Sequence, residues 1–408
     1  MTLNAKPGFV KTLKQSVMAY AFNIFGIAAG TVVAYYSGLF ERAPWAVVIY
    51  PPILSARGVI GGLFCGRLST ALHLGTIQPS LFRNTKSFYL LFQAIVVMTF
   101  EASLMMSLIA VLFRGFYLRG SFEELLDMAN VFMATMALAL VVISPLTLTV
   151  SFTSFKHGLD PDIILYPVES TVADLLITAI YVLTLNFFLT YGLFCRYLLV
   201  LVSLTLLFVA AYSLVKNARE PEFIKTLKES LLTLVLVSFI VNVAGAVLGR
   251  VDDLMRERQE LYKGYPVYVV YPALIDTVGD VGAVIGSTAT TKLALGTLKS
   301  SLSSIKYHLT EISGAWTASL MMFFAYSVLA LLIKGMLDPL NLLRFTLLLF
   351  TVNILAASFI ALISYSVAIL TYQRGLDPDN FEIPIESSLA DSVTTVSLLV
   401  ALVLWAGI

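Results

Sequence analysis

The chain has 408 residues, of which 59% are hydrophobic and 12% charged, and its mean hydropathy is +0.89. A water-soluble domain carries about 45–50% apolar and about 25% charged residues, so this composition excludes a soluble globular protein. A net charge of +1 offers no basic face to nucleic acid, and two isolated cysteines, Cys65 and Cys195, exclude a disulfide framework.

A membrane-spanning helix needs roughly 20 predominantly apolar residues. In chain order such stretches lie near 17–38, 45–74, 87–113, 125–155, 163–191, 194–215, 229–249, 265–298, 312–333, 340–370 and 383–406, eleven in all. The first is too long for a signal-peptide core and lacks a cleavage site, so it is expected to be retained. Several exceed 25 residues, which predicts tilt or kinks. Pro51, Pro52, Pro145, Pro167, Pro266, Pro272 and Pro384 mark the expected kinks and helix starts. The expected fold class is an all-α, multi-pass membrane protein in contact with lipid. No HExxH, GxSxG, P-loop or GxGxxG is present, and His73, His157 and His308 are read as isolated interfacial residues, which leaves the common enzyme signatures without support.

The chain repeats itself. Phe9-Val10-Lys11-Thr12-Leu13-Lys14-Gln15-Ser16 returns as Phe223-Ile224-Lys225-Thr226-Leu227-Lys228-Glu229-Ser230. The segment from Tyr50 to Thr76 aligns without gaps to Tyr271 to Thr297, pairing Pro51 with Pro272, Gly58 with Gly279 and Gly75 with Gly296. Ala102–Met106 recurs as Ala318–Met322, and Gly158-Leu159-Asp160-Pro161-Asp162 as Gly375-Leu376-Asp377-Pro378-Asp379. The offset runs 214, 221, 216 and 217, so length differences fall between helices; the charged stretch Arg250–Lys263 is read as a lengthened loop. Three parts are expected: a five-helix repeat at 1–192, a linker helix at 193–217 and a second five-helix repeat at 218–408. An unmatched sixth span returns the chain to its starting side, so the halves are expected to be parallel about a pseudo-twofold along the membrane normal, within a functional monomer. Lys6, Lys11, Lys14 and the Lys216–Lys228 segment favour a cytoplasmic N terminus and an outside C terminus in the cell membrane.

Ionisable residues inside apolar spans are costly and mark candidate functional sites. In the fifth span of each half, Ser170, Asp174 and Thr178, and again Ser387, Asp391 and Thr395, follow an i, i+4, i+8 spacing that places each trio on one helix face. Carboxylate and hydroxyl oxygens, without sulfur or imidazole, suit Mg, Ca or Mn. Two aspartates brought together near the pseudo-twofold cannot both stay ionised without a cation between them. Glu169 and Glu386 follow Pro167 and Pro384, and either cap a helix start or mark an entrance for ions. Asp276 and Asp280 share a face of span eight, where span two has Ser55 and Val59; they are candidates for ion or proton coupling. Glu101 is expected either to pair with Arg57 or Arg67 or to carry a proton, while Arg67 and Lys292 are read as snorkelling to the membrane surface.

Arg67-Leu68-Ser69-Thr70-Ala71 after Pro52 and Gly58, together with Gly158-Leu159-Asp160-Pro161-Asp162 leading to Asp174, resembles the membrane domain of MgtE-type divalent cation transporters. The two-half form with a linking helix is similar to their solute carrier 41 relatives. The resemblance covers nearly the whole chain. It implies magnesium transport through a pore between two five-helix units, with a pore aspartate in the fifth helix that matches Asp174 and Asp391. The family's cytoplasmic magnesium-sensing domains have no counterpart here. Its Gly-Asn in the second helix is replaced by Gly58-Val59-Ile60-Gly61 and Gly279-Asp280-Val281-Gly282. These residues point to divalent cation transport, most simply of Mg2+. Exchange coupled to sodium or protons is the alternative, and an intramembrane enzyme would need a nucleophile and base that the sequence does not present.

Overall fold

A computed structural model describes residues 6–81, 83–117, 121–157, 161–258, 265–374 and 379–405. Eleven helices among them are long and apolar enough to cross a membrane, as the composition requires. They are α1 (Gly8–Tyr35), α2 (Trp45–His73), α3 (Lys86–Tyr117), α4 (Phe122–Lys156), α5 (Pro161–Thr190), α6 (Leu193–Asn217), α7 (Pro221–Glu257), α8 (Val267–Ala294), α9 (Leu309–Ile333), α10 (Pro339–Gln373) and α11 (Asp379–Trp405). Hydrocarbon offers no hydrogen-bond partner to the backbone, so each crossing segment satisfies its own amides as a helix.

Local signals set the helix ends. Ser121 accepts a hydrogen bond from the Glu124 amide at the start of α4, and Asp338 accepts from the amides of Leu340 and Asn341 at the start of α10, where Pro339 takes the first position. The repeat is visible in the caps of α2 and α8. Gly75 and Gly296 both have φ of +68°, a left-handed conformation natural to glycine. In each case two amides fold back on the last turn: Gly75 to Leu72 and Thr76 to Ala71, Gly296 to Leu293 and Thr297 to Lys292.

The chain forms two compact units, residues 1–34 with 247–408, and residues 35–246. In the contiguous unit, α2 packs on α3, α4 and α5, and α4 packs on α3 and α5. In the other, α8 packs on α9, α10 and α11, and α10 packs on α9 and α11, which is the same scheme. The linker helix α6 lies on α3 and α4 of the contiguous unit, with Ser203 hydrogen-bonded to Asn130 and Asn217 to Gln93. Large apolar side chains such as Phe208 and Val215 remain exposed on α6, an outward face suited to lipid.

The compact units cut across the sequence repeats. Helix α1, first of the first repeat, packs on α8 and α9 of the second. The body of α7, first of the second repeat, packs on α2 and α3 through Gly245 and through Asn242, which donates to the Met106 carbonyl. The contacts meet at the aligned carbonyls of Val48 and Val269, although Pro52 aligns with Ala273. Gly30 abuts the carbonyls of Tyr268 and Val269, and Gly245 abuts the carbonyl of Val48. Pro272 and Pro52 lie four residues beyond Tyr268 and Val48 and have no N–H to donate to those carbonyls. A glycine backbone can approach the opened turn and place its Cα–H groups against it.

One expectation is corrected. Residues 250–257 of the charged stretch read as a loop are the last turns of α7, and 259–264 lie outside the described residues. Arg250 pairs with Asp253 at 3.3 Å and Arg256 with Asp252 at 2.7 Å, spacings that support a helix.

Gly30→Val and Gly245→Val should each lower the thermal midpoint of the purified protein, since overpacking costs roughly 1–3 kcal/mol. Gly38→Ala, whose new methyl group meets open space, should leave it unchanged. Unchanged midpoints in both valine variants would show that the close approach contributes no stability.

Candidate functional site

In the contiguous unit, the face of α2 carrying Tyr50 and Arg57, seven residues apart, meets the face of α5 carrying Asp174, Thr178 and Tyr181. Arg57 Nη1 donates to Asp174 Oδ1 at 2.9 Å, with the two side chains only 7% and 13% exposed. The Tyr50 and Thr178 hydroxyls lie 3.2 Å apart, and Tyr50 stacks on Tyr181 at 5.7 Å between ring centres. Tyr181 Oη in turn donates to the Ala46 carbonyl at 2.6 Å, fixing α5 against α2. The sequence reading offered Arg57 only as a partner for Glu101. Its true partner is one of the two leading site residues. Breaking such a buried pair on one side costs about 3–5 kcal/mol, because the other charge is left without compensation.

The other unit repeats the frame without the arginine. Tyr271 and Thr395 lie with their hydroxyls 2.8 Å apart. Thr395 donates its own proton to the Asp391 carbonyl at 2.6 Å, so Tyr271 is the donor between the two. Asp391 is 8% exposed, close to the 9% of Asp174. Seven residues beyond Tyr271 stands Val278, where the first repeat has Arg57. Thus Thr178 and Thr395 are fully buried and held by tyrosines, one helical turn from their aspartates. The side chains of Glu169, Ser170, Glu386 and Ser387 lie outside the described residues.

Helix α8 carries a second polar locus. Asn23 Nδ2 donates to Asp280 Oδ2 at 2.7 Å and approaches Thr277 Oγ1 at 3.2 Å, and Thr277 bonds to the Tyr326 hydroxyl at 2.8 Å. Asn23 reaches this point from the one 3-10 turn in α1, Ala21–Asn23. Sequence reasoning missed it because its partners are more than 250 residues away. Asp276 is half-buried one turn before Asp280.

Three further expectations are corrected. Glu101 pairs with neither arginine: Arg57 bonds Asp174, Arg67 bonds Thr226, and Glu101 Oε2 is buried with no hydrogen-bond partner among the described residues. Arg67 and Lys292 do not simply snorkel, since Lys292 forms a 2.7 Å ion pair with Glu311. His308 is fully buried rather than isolated; its Nε2 lies 3.2 Å from both the Ile285 carbonyl and Thr288 Oγ1, and Nδ1 lies 3.6 Å from Glu311.

Compared with known families, the chain matches the MgtE family model, described as a divalent cation transporter, over residues 50–184 and 271–401. The two matched segments run from within α2 to within α5 and from within α8 to within α11, so both aspartate frames fall inside them. No solved structure matches the chain.

His308, just before α9 and outside the spans, supplies a pH test. Burial, and then the Lys292 ammonium, hold its pKa below the ordinary 6.5 against the opposing pull of Glu311. The folded chain therefore resists a proton that the unfolded chain takes up, so stability present above about pH 6.5 is lost as pH falls below it. The midpoint of the native chain should drop more between pH 7.5 and pH 5 than that of His308→Gln. Equal drops would remove His308 as the cause.

Proposed function

The chain belongs to the MgtE family of divalent cation transporters, and from that premise we propose that it carries Mg2+ across the cell membrane along a pathway between its two repeats. The observation that carries this reading is the duplicated frame: Asp174 and Asp391, buried at equivalent places on the fifth helix of each repeat, each one turn from a threonine clamped by a tyrosine. Each repeat supplies one carboxylate to the ion. Mg2+ sheds water reluctantly and is bound through one or two carboxylates with several waters retained, so a short list of protein ligands suffices. Among the described residues no three histidine, cysteine or acidic side chains gather, a donor set suited to a hydrated ion and unlike a closed structural metal site. Thr178 and Thr395 steady the turn beside each carboxylate; by sequence position alone, Ser170 and Ser387 are the hydroxyls one turn before the aspartates, and Glu169 and Glu386 the acids assigned to an entrance.

A second reading, exchange coupled to sodium or protons, is favoured by one observation. Asp280 is a carboxylate inside a span, outside the duplicated frame, held by Asn23 in a network of side chains from three helices. A passive pore has no use for it. Flux measured in proteoliposomes with and without a sodium or pH gradient separates the two readings.

For the site itself, Asp174→Asn and Asp391→Asn should each weaken Mg2+ binding in calorimetric titration and slow flux, and the double variant should show neither binding nor flux. Native values in the double variant would reject both carboxylates and move the site to Asp276 and Asp280.

For topology, five spans, one linker and five spans place the termini on opposite sides of the membrane. In a background lacking Cys65 and Cys195, Asn4→Cys should be labelled from inside and Ile408→Cys from outside. Labelling of both from one side would sink the parallel arrangement.

A further inference from the structure

The start of α9 holds two buried polar atoms that face each other. His308 Nδ1 lies 3.6 Å from Glu311 Oε2, too far for a hydrogen bond, and neither atom has a hydrogen-bond partner among the described residues. The His308 side chain is 0% exposed and that of Glu311 15%. The partners of the other ring nitrogen settle the tautomer. Nε2 lies 3.2 Å from the Ile285 carbonyl, which can only accept. It also lies 3.2 Å from Thr288 Oγ1, whose single proton goes to the Val284 carbonyl at 2.6 Å. Nε2 therefore carries the ring proton, and in the neutral ring Nδ1 is a lone pair aimed at a carboxylate oxygen. Two acceptors, removed from water, stand one proton short of a hydrogen bond.

The groups around this pair all belong to one compact unit. Lys292, near the end of α8, holds Glu311 Oε1 at 2.7 Å. Tyr365 of α10 has its ring 5.7 Å from that of His308 and its hydroxyl bonded to Ser304, in the 3-10 turn Leu302–Tyr307. Helix α1 brings only Gly8 against Thr310. The charges facing His308 are thus one carboxylate and one ammonium, which cancel while the ring is neutral.

We propose that the gap between His308 Nδ1 and Glu311 Oε2 is a proton-binding site, and that a proton taken up there displaces Lys292 from Glu311, unfastening the end of α8 from the start of α9. A second cation beside one buried carboxylate leaves a net charge in a poorly hydrated place. His308 is enclosed and anchored through Nε2, whereas the Lys292 side chain is 28% exposed on a flexible stem, so the ammonium is the group that moves to water. The catch opens only in acid, because burial and Lys292 hold the His308 pKa below the ordinary 6.5. Helix α8 also carries Tyr271 and Asp280, so acidification acts on the helix that bears half of the duplicated frame. That consequence rests on the reading of the chain as a divalent cation transporter; the proton site does not.

The test uses the full chain. His73→Gln and His157→Gln leave His308 as the one histidine, and nitrogen-15 NMR of its ring reads tautomer and titration directly. At pH 8 the proton should sit on Nε2, and on acidification Nδ1 should gain a second. Glu311→Gln should move the titration to lower pH, by removing the carboxylate that favours the imidazolium, and Lys292→Met should move it to higher pH, by removing the ammonium that opposes it. In proteoliposomes at saturating Mg2+, native flux should change between pH 7.5 and pH 5. His308→Gln should lose most of that change, and Lys292→Met should show at pH 7.5 the flux that the native chain shows at pH 5.

A ring proton on Nδ1 at pH 8, or a titration that Glu311→Gln leaves in place, would overturn the proton site. Equal pH responses of flux in the native chain and in His308→Gln would overturn the catch. If Lys292→Met does not fold, the Glu311→Gln and His308→Gln results decide. Absence of Mg2+ flux at every pH is a different failure, because it rejects the transport reading and leaves the NMR result standing.

Discussion

Pro52 and Pro272 each take one N–H out of a helix that lies where no water replaces it. The carbonyl freed at Val48 is met by Gly245, and the carbonyl freed at Tyr268 by Gly30, in each case from the first helix of the other repeat. This contact fixes which helices belong together. It also sets the rotation of α2: with Val48 and Pro52 turned toward α7, Tyr50 and Arg57 fall on the opposite side, facing α5 and its aspartate.

Three acidic groups within and beside the spans are settled by three different devices. Asp174 has a guanidinium, Asp280 has an amide delivered by a distorted turn, and Glu311 has Lys292. Burial of an ion without such a partner is expensive, which is why polar residues here come in contacting sets. The sets are not duplicated with the repeat. The frame of tyrosine, threonine and aspartate recurs in both repeats, and Arg57 stands in the first where the second has Val278.

How much of this was legible in the sequence depends on the range of each signal. The eleven spans could be read directly, because their apolar character is local, whereas Gly75 and Gly296 were paired by the repeat without being read as helix caps. Asp174 and Asp391 stood out because a carboxylate in an apolar run is conspicuous by itself. Arg57 was visible only as one of two alternative partners for Glu101, since helical spacing says nothing of which neighbour a face meets. Asn23 was invisible as a site residue, because its meaning lies in a contact 257 positions away. The exchange of first helices was hidden for the same reason: periodicity identifies a helix that needs a partner and leaves the partner open. The turns of α7 at 250–257 were lost to their charge, which imitates a loop when i, i+4 pairing is not weighed.

The exchange of first helices also imposes an order on biosynthesis. Residues 35–246 form a contiguous unit that has all its helices once the body of α7 is made. Helix α1 is made before any of them, yet its partner turn at Tyr268 and Val269 emerges more than 230 residues later. At about 5–20 residues per second, α1 waits in the bilayer on the order of 10–50 s with its glycine face and Asn23 uncovered. A ribosome that stalled within that interval would leave behind a finished unit and an orphan helix. It also follows that the polypeptide cannot be divided at the linker into two halves that fold separately, because each half would carry a first helix made for the other.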